Sequence, residues 1–223
     1  MSVLVDKYGD VFRPIDGNWS GHDAIREHMY RGLFEILKTI QWEDRGYRLL
    51  EFGCLEPTSS IIRMLVYLMG DRLLPSVCDY PETDIQKMND GNDTWDILVV
   101  DQVLEHVEKP WMAACEIYRT LRPGGIAIVN TPYLHPIHKC PLDCWRISPD
   151  GYRVLFPDNW FEVVGNGMWG NRAIVEEVYH STRSRGMTGD WIPVSMAEQE
   201  IPSWNTPTDN LNPIVIFNVF RKR

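Results

Sequence analysis

The stretch from Tyr133 to Arg146 reads YLHPIHKCPLDCWR. Two imidazoles, a carboxylate and a guanidinium, those of His135, His138, Asp143 and Arg146, fall within twelve residues of it. Histidine titrates near neutrality, so His135 or His138 can take a proton from a hydroxyl or amine. Arg146 can clamp a carboxylate or phosphate through two parallel N–H donors. Tyr133 and Trp145 offer flat apolar faces for a sugar or an aromatic ring. On this reading Tyr133, Asp143, Trp145 and Arg146 meet an acceptor, His135 and His138 are the general-base candidates, and no metal is needed. Two other arrangements use the same residues. His135, His138, Cys140 and Cys144 are all zinc-type donors, although H-x2-H-x-C-x3-C is not a common structural-zinc spacing and Pro136 and Pro141 stiffen the chain between them. Alternatively, Asp143 pairs with Arg146 and the histidines bond backbone carbonyls, so that the loop holds itself.

The elements that must position this stretch lie just before it. Ile97 to Val100 is an unbroken apolar run between Asp96 and Asp101, as a parallel strand buried on both faces requires. Pro110 suits a first helical position. Trp111, Ala114, Cys115, Tyr118 and Leu121 follow at helical spacing and form one expected apolar stripe. Arg122-Pro123-Gly124-Gly125 stops that helix, and Ile126 to Val129 is a second buried strand. The result is one βαβ unit with an expected right-handed crossover. In open parallel sheets ligands sit beyond the carboxyl ends of the strands, which puts Asp101-Gln102 and Asn130-Thr131-Pro132 at the mouth of a site.

Three segments carry a family resemblance. The run from Asp96 to Gly125, D-I-L-V-V-D-Q-V-L-E-H-V followed by L-R-P-G-G, resembles class I S-adenosylmethionine-dependent methyltransferases of the type 11-like, small-molecule and glycan subset. Residues 131–156 resemble members carrying H-P-x-H-x-x-P-x-D-x-W-R-x-T-P-x-G, with Ser148 in place of the threonine. Arg48 to Gly53, RLLEFG, resembles the family's first motif, but the loop continues Cys54-Leu55-Glu56-Pro57 where the family has further glycines. The resemblance implies an α/β, Rossmann-like, doubly wound sheet of seven mainly parallel strands with an antiparallel last strand, residues 160–164 and 213–220 forming the terminal hairpin. It implies S-adenosylmethionine as cofactor and methyl transfer to an oxygen or nitrogen of a small molecule or glycan. It also implies roles: Glu51, Gly53 and the adjoining Cys54 beside the methionine part, and Asp79 at the ribose hydroxyls. Tyr80, with Ile85 and Met88, would line the adenine, and Asp101 and Gln102 the methionine or sulfonium. His106 is either a contact to cofactor or acceptor or an inward-facing capping histidine. The missing glycines motivate a second class of function, a non-catalytic ligand-binding protein on the same fold.

The rest of the chain reads as support. Residues 1–44 form an N-terminal arm and a packing helix beginning near Ser20, with Ile25, Met29, Leu33, Ile36, Leu37 and Ile40 on one face; residues 45–223 form the methyltransferase-like domain. Ile61 to Met69 is a buried helix and Leu73 to Cys78 a strand. Residues 80–94 are short for a further helix and strand, so the sheet is abbreviated there or its order trimmed. Residues 165–170 read as a Gly-rich turn, Ala173 to Tyr179 as a short helix, and 181–211, with Trp191 and Trp204, as an insertion.

Composition excludes several classes. A chain of 223 residues, 44% of them hydrophobic, can bury one good core. The net charge of −9, with no basic run beyond Arg221-Lys222-Arg223, disfavours a nucleic-acid partner. No apolar run is long enough to span a bilayer, and the first residues lack a secretory pattern. Five cysteines without small-scaffold spacing fit reduced thiols, so a cytoplasmic location is expected.

Overall fold

A computed structural model describes residues 21–53, 59–135, 137–138, 141–170 and 213–223, with side chains from residue 28 onward. Helix α1 (Gly21–Leu37) precedes β1 (Tyr47–Phe52), α2 (Ser60–Met69), β2 (Leu73–Cys78), β3 (Trp95–Asp101), α3 (Pro110–Thr120) and β4 (Leu121–Pro132). Helix α4 (Pro149–Leu155), β5 (Phe161–Trp169) and β6 (Val215–Lys222) follow, and single turns of 3-10 helix lie at Gly70–Arg72 and Leu104–His106. The strands form one sheet in the order β2-β1-β3-β4-β6-β5. β1, β2, β3 and β4 run parallel, while β6 lies antiparallel to both β4 and β5.

Alternation along the strands splits the core into two layers. Leu49, Ile97, Val99, Ile126, Ile128, Phe217 and Val219 face Leu33, Phe34 and Leu37 of α1 and Ile61 and Leu65 of α2. Leu50, Phe52, Leu98, Val100, Ala127, Val129 and Phe220 face Ala113, Ala114 and Ile117 of α3 and Tyr152 of α4. Successive side chains of a strand point to opposite faces, so an apolar run such as Ile97–Val100 feeds both layers at once. Serines start two of the helices. Ser59 Oγ accepts from Ile62 N at 3.1 Å, and Ser148 Oγ accepts from Gly151 N at 3.1 Å with Pro149 in the first turn. At the amino end of β3 the buried Asp96 accepts from Arg48 N at 2.9 Å and from Arg45 Nη1 at 2.7 Å, and Arg122 Nη1 stands 3.2 Å away.

Several expectations need correction. The described residues form six strands rather than seven. Residues 79–94 hold neither helix nor strand, and β2 is an edge of the sheet. Only Ile85 and Met88 of that segment are buried, too little apolar surface to seat a further strand and helix. The glycines after Val164 do not turn: β5 runs on to Trp169, with a register irregularity between Val163 and Gly165. A Cβ on Gly165 would lie 2.7 Å from Ile36 Cγ2, and one on Gly167 2.3 Å from Phe217 Cζ, so these glycines admit close packing by α1 and β6. The buried stripe of α3 is Pro110, Ala113, Ala114, Ile117 and Thr120, whereas Trp111 and Cys115 are exposed. The strand that α3 serves covers a different arc of the helix from the one its largest side chains marked. The expected N-terminal arm at 1–19, the helix at 173–179, the 181–211 insertion, and Cys54 and Cys140 lie outside the described residues.

Candidate functional site

Register builds the first half of the site. Phe52 pairs with both Cys78 and Val100, and Val100 with Val129. The residues that follow, Asp79, Gly53, Asp101 and Asn130, therefore stand in one row along the carboxyl edge in the order β2-β1-β3-β4, with Asp101 and Asn130 paired directly. At a strand spacing of about 4.8 Å, Asp79 and Asp101 are separated by roughly 10 Å. Gly53 closes the gap between them. Its N–H donates to Cys78 O at 3.0 Å, its φ is +78°, and an added Cβ would meet Val103 Cγ2 at 3.0 Å. Only glycine takes this turn without strain. Gln102 also has positive φ, +56°, and its N–H donates to Asn130 O at 3.0 Å, so the chain turns sharply as it leaves β3.

Above this edge lies α1. Tyr30 Oη donates to Asp101 Oδ2 at 2.5 Å, and Gln102 Nε2 lies 4.0 Å from Met29 Sδ. Asp101 Oδ1 is buried and has no partner among the described residues, and neither does either amide atom of the fully buried Asn130. Polar atoms in such positions are uncommon and point to a ligand or water as the partner. Glu51, also buried, accepts from Ser59 Oγ at 2.6 Å, which ties the end of β1 to the start of α2. Cys78 Sγ donates to Glu51 O at 3.7 Å, and burial pushes its thiol up to about 12. Asp79 is half-buried; its Oδ1 accepts from Tyr80 N at 2.8 Å and its carbonyl from Thr83 N at 3.0 Å. Tyr80 is 62% exposed, but Ile85 and Met88 are sealed in the core and offer no face to an adenine.

The second half is built from the turn after β3 and the loop after β4. Leu104–His106 forms one turn of 3-10 helix, and Glu105 within it is fully buried. Its carbonyl accepts from Cys144 N at 2.7 Å and Trp145 N at 3.2 Å, so the histidine-bearing loop is laced to the β3 exit. His106 donates through Nδ1 to Leu142 O, while its Nε2 lies 3.6 Å from Glu105 Oε1. The His138 ring stands against those of His106 and His135, with centroids 4.9 Å and 4.6 Å away. Asp143 is the hub of the loop. Arg146 reaches its two oxygens at 2.5 Å and 2.8 Å, and His138 N donates to Oδ2 at 2.7 Å. The Arg146 guanidinium is the main reason the Asp143 carboxyl is held well below the usual carboxylate range, despite its burial. Arg146 also donates to the carbonyls of Trp145 and His135. Trp145 donates through Nε1 to Val107 O at 2.8 Å, with its ring 38% exposed, and Tyr133 is half-buried against the α3-side core.

The structure thus brings Glu51, Gly53, Asp79, Asp101 and Gln102 to one sheet edge, and His106, His135, His138, Asp143, Trp145 and Arg146 to one loop cluster beside it. The pairing of Asp143 with Arg146 is the one named in the self-holding alternative read from the sequence. Tyr30 and Glu105 were missed. Tyr30 sits 71 residues from its partner, and no local pattern announces such a contact. Glu105 left a faint signal, a carboxylate set in the otherwise apolar run V-L-E-H-V.

Comparisons with known proteins agree with this architecture. Residues 63–129, less than a third of the chain, match the family described as "Methyltransferase domain". A curated protein of Mycobacterium avium (strain 104), named an uncharacterized methyltransferase, is 40% identical over 47 residues, 21% of this chain and 19% of that protein. The chain spans about a fifth of the length of the curated relatives it matches. Among solved structures, a SAM-dependent methyltransferase from Archaeoglobus fulgidus aligns with a TM-score of 0.51 at 12% identity, covering 89% of this chain and 92% of the other. The [4+2]-cyclase SpnF aligns with a TM-score of 0.52 at 14% identity, covering 98% and 93%. The sheet is therefore the Rossmann-like one of these enzymes, and the methyltransferase resemblance read from the sequence is borne out. Among the described residues, no helix is long and apolar enough to cross a membrane.

Proposed function

We propose that this chain is a class I S-adenosylmethionine-dependent methyltransferase that methylates an oxygen or nitrogen of a small molecule or glycan. The observation that carries the reading is the carboxyl-edge row of Asp79, Gly53, Asp101 and Asn130, together with the unpartnered buried atoms of Asp101 and Asn130. The donor set suits the cofactor. A carboxylate accepts from two ribose hydroxyls at once, which is the role given to Asp79, whose second oxygen has no partner among the described residues. Asp101 Oδ1, beside a tight glycine turn, is the acceptor for the charged methionine end of the cofactor. Glu51 ties the end of β1 to the start of α2 through Ser59.

The bound cofactor supplies a methyl group on a positively charged sulfur leaving group. The protein must align acceptor and methyl and remove one proton. His135 and His138 stand on the loop next to this edge and are the base candidates; Trp145 and Tyr133 are the ring-stacking faces, and Asp143 with Arg146 keeps the loop in register. Calorimetry of the full chain with S-adenosylhomocysteine tests the reading, with one-to-one binding expected. Absence of binding at high micromolar ligand would defeat it.

A second reading has one observation in its favour. A protein of this fold is named a [4+2]-cyclase, so the fold alone does not choose methyl transfer. Cofactor binding without a methylated product, by mass spectrometry over a broad acceptor panel, would favour a binding protein or a different reaction.

A further inference from the structure

We infer that Glu105, His106 and His138 form a binding site for one divalent transition-metal ion of the zinc type. Each offers a ligand atom, and these atoms all lie within 4.8 Å of one another, making them a candidate metal cluster among the described residues. Two imidazoles and one carboxylate are a donor set that such ions take readily, leaving a coordination position for water or an acceptor oxygen.

Three further features favour a metal over a chance gathering. The first is distance. Bonds of about 2.1 Å at tetrahedral angles put neighbouring donors about 3.4 Å apart, and Glu105 Oε1 and His106 Nε2 are already 3.6 Å apart. The widest separation needs to close by no more than about 1.4 Å on the same bond lengths, within reach of side-chain rotation. The second is the tautomer. His106 donates through Nδ1 to Leu142 O, so that in the neutral ring the Nε2 lone pair faces Glu105. A carbonyl behind the ring is the usual support for a ligating histidine. The third is rigidity. The carbonyl of Glu105 accepts from Cys144 N and Trp145 N, and the backbone of His138 is fixed by Asp143, itself held by Arg146. The donors come from two segments that these bonds lock together, so the site is preorganised rather than gathered by the ion.

This set differs from the one the sequence suggested. Cys144 is exposed and does not belong to the cluster, while Glu105 and His106 enter it from the turn after β3. With His138 as a ligand, His135, whose ring meets it edge-on, becomes the base candidate that does not ligate the ion. The inference does not rest on the methyl-transfer reading, and its test uses no methyl donor.

The test is titration of the tag-free full chain, stripped with chelator, with Co2+ and Zn2+, followed by visible absorption for cobalt and by calorimetry. One ion per chain is expected, together with a rise in thermal midpoint, because an ion that binds only the folded state stabilises it. His106→Ala and His138→Ala should each weaken binding at least about 10-fold, since a ligand matters no less than its outer-shell supports. Asp143→Asn, which leaves all three ligands in place, should weaken it by about 10-fold. Glu105 is fully buried, so Glu105→Gln is judged only if its melting is cooperative; His106→Ala, at a partly exposed position, carries the test otherwise. No binding at 100 µM metal (on the order of 10 times weaker than a useful site), or binding unchanged in both histidine variants, would overturn the assignment.

Discussion

Tyr30 Oη and Asp101 Oδ2 lie 2.5 Å apart, joining the helix at the start of the chain to the carboxyl end of a central strand. The bond fixes which oxygen of Asp101 remains for a ligand: Oδ1, buried and unpartnered among the described residues. It also brings α1 to the carboxyl edge of the sheet. Tyr30→Phe keeps the ring and removes the donor. The variant should fold, lose about 1–2 kcal/mol of stability, and bind S-adenosylhomocysteine about 5- to 10-fold more weakly. Calorimetry beside a thermal melt separates the two effects, and unchanged ligand affinity would remove α1 from the site.

Farther along the same carboxyl edge, Asp79 is the ribose acceptor on the proposed reading. Asp79→Ala should reduce cofactor affinity about 10-fold or more, as expected when a carboxylate loses charge-assisted bonds. The half-buried position means the fold should tolerate it. A titration indistinguishable from the wild type would place the ribose elsewhere.

The imidazoles make a kinetic prediction. His135→Ala should lower turnover by about 100-fold or more while leaving cofactor affinity within a few-fold, because a general base acts only as the proton leaves. Full turnover in both His135→Ala and His138→Ala would show that neither is the base.

Asp96 predicts a pH dependence far from the site. Burial alone would raise its carboxyl, but Arg48 N–H and the Arg45 and Arg122 guanidinium groups outweigh it and hold the group below its ordinary range. A depressed folded-state value contributes stability above the unfolded value of about 3.9, lost as pH falls through the folded one. Asp96→Asn should therefore be less stable than the wild type by a constant margin from pH 5 to 7, on the order of 2 kcal/mol because both arginines are partly exposed. Denaturant melts should show that margin shrinking below about pH 4. A margin independent of pH would mean that the ion pairs contribute nothing.

Cysteine reactivity gives a direct check on burial. The Cys78 thiol, pushed up to about 12, should resist alkylation at neutral pH, while the exposed Cys115 and Cys144 react. Peptide mapping after brief iodoacetamide treatment reads this, and labelling of Cys78 at the rate of Cys115 would contradict the packing beside Glu51.

Packing at the sheet edge is equally testable. A Cβ at Gly167 would lie 2.3 Å from Phe217 Cζ, so Gly167→Ala should cost about 1–3 kcal/mol by overpacking. Phe217→Leu in the same chain should restore part of the loss, as a thermal melt would show.

Much of this protein was settled by pattern alone. An apolar run as short as Ile97–Val100, bracketed by aspartates and followed by a helix pattern and a second such run, reads as a parallel strand buried on both faces. Ser59, Ser148 and Pro110 mark helix starts through local backbone chemistry, and the carboxyl-edge positions of Asp79 and Asp101 follow from the strands that precede them. Tertiary structure decided what locality cannot. Gly165 and Gly167 look like a turn in isolation and become strand because Ile36 and Phe217 need the space. Trp111 looks like core and is exposed, because the sheet meets a different arc of α3. Tyr30 reaches Asp101, and Glu105 and His106 meet His138, only after the chain has folded back through the sheet. Contacts between residues so far apart in the chain depend on register and crossing geometry, which no short window of sequence contains.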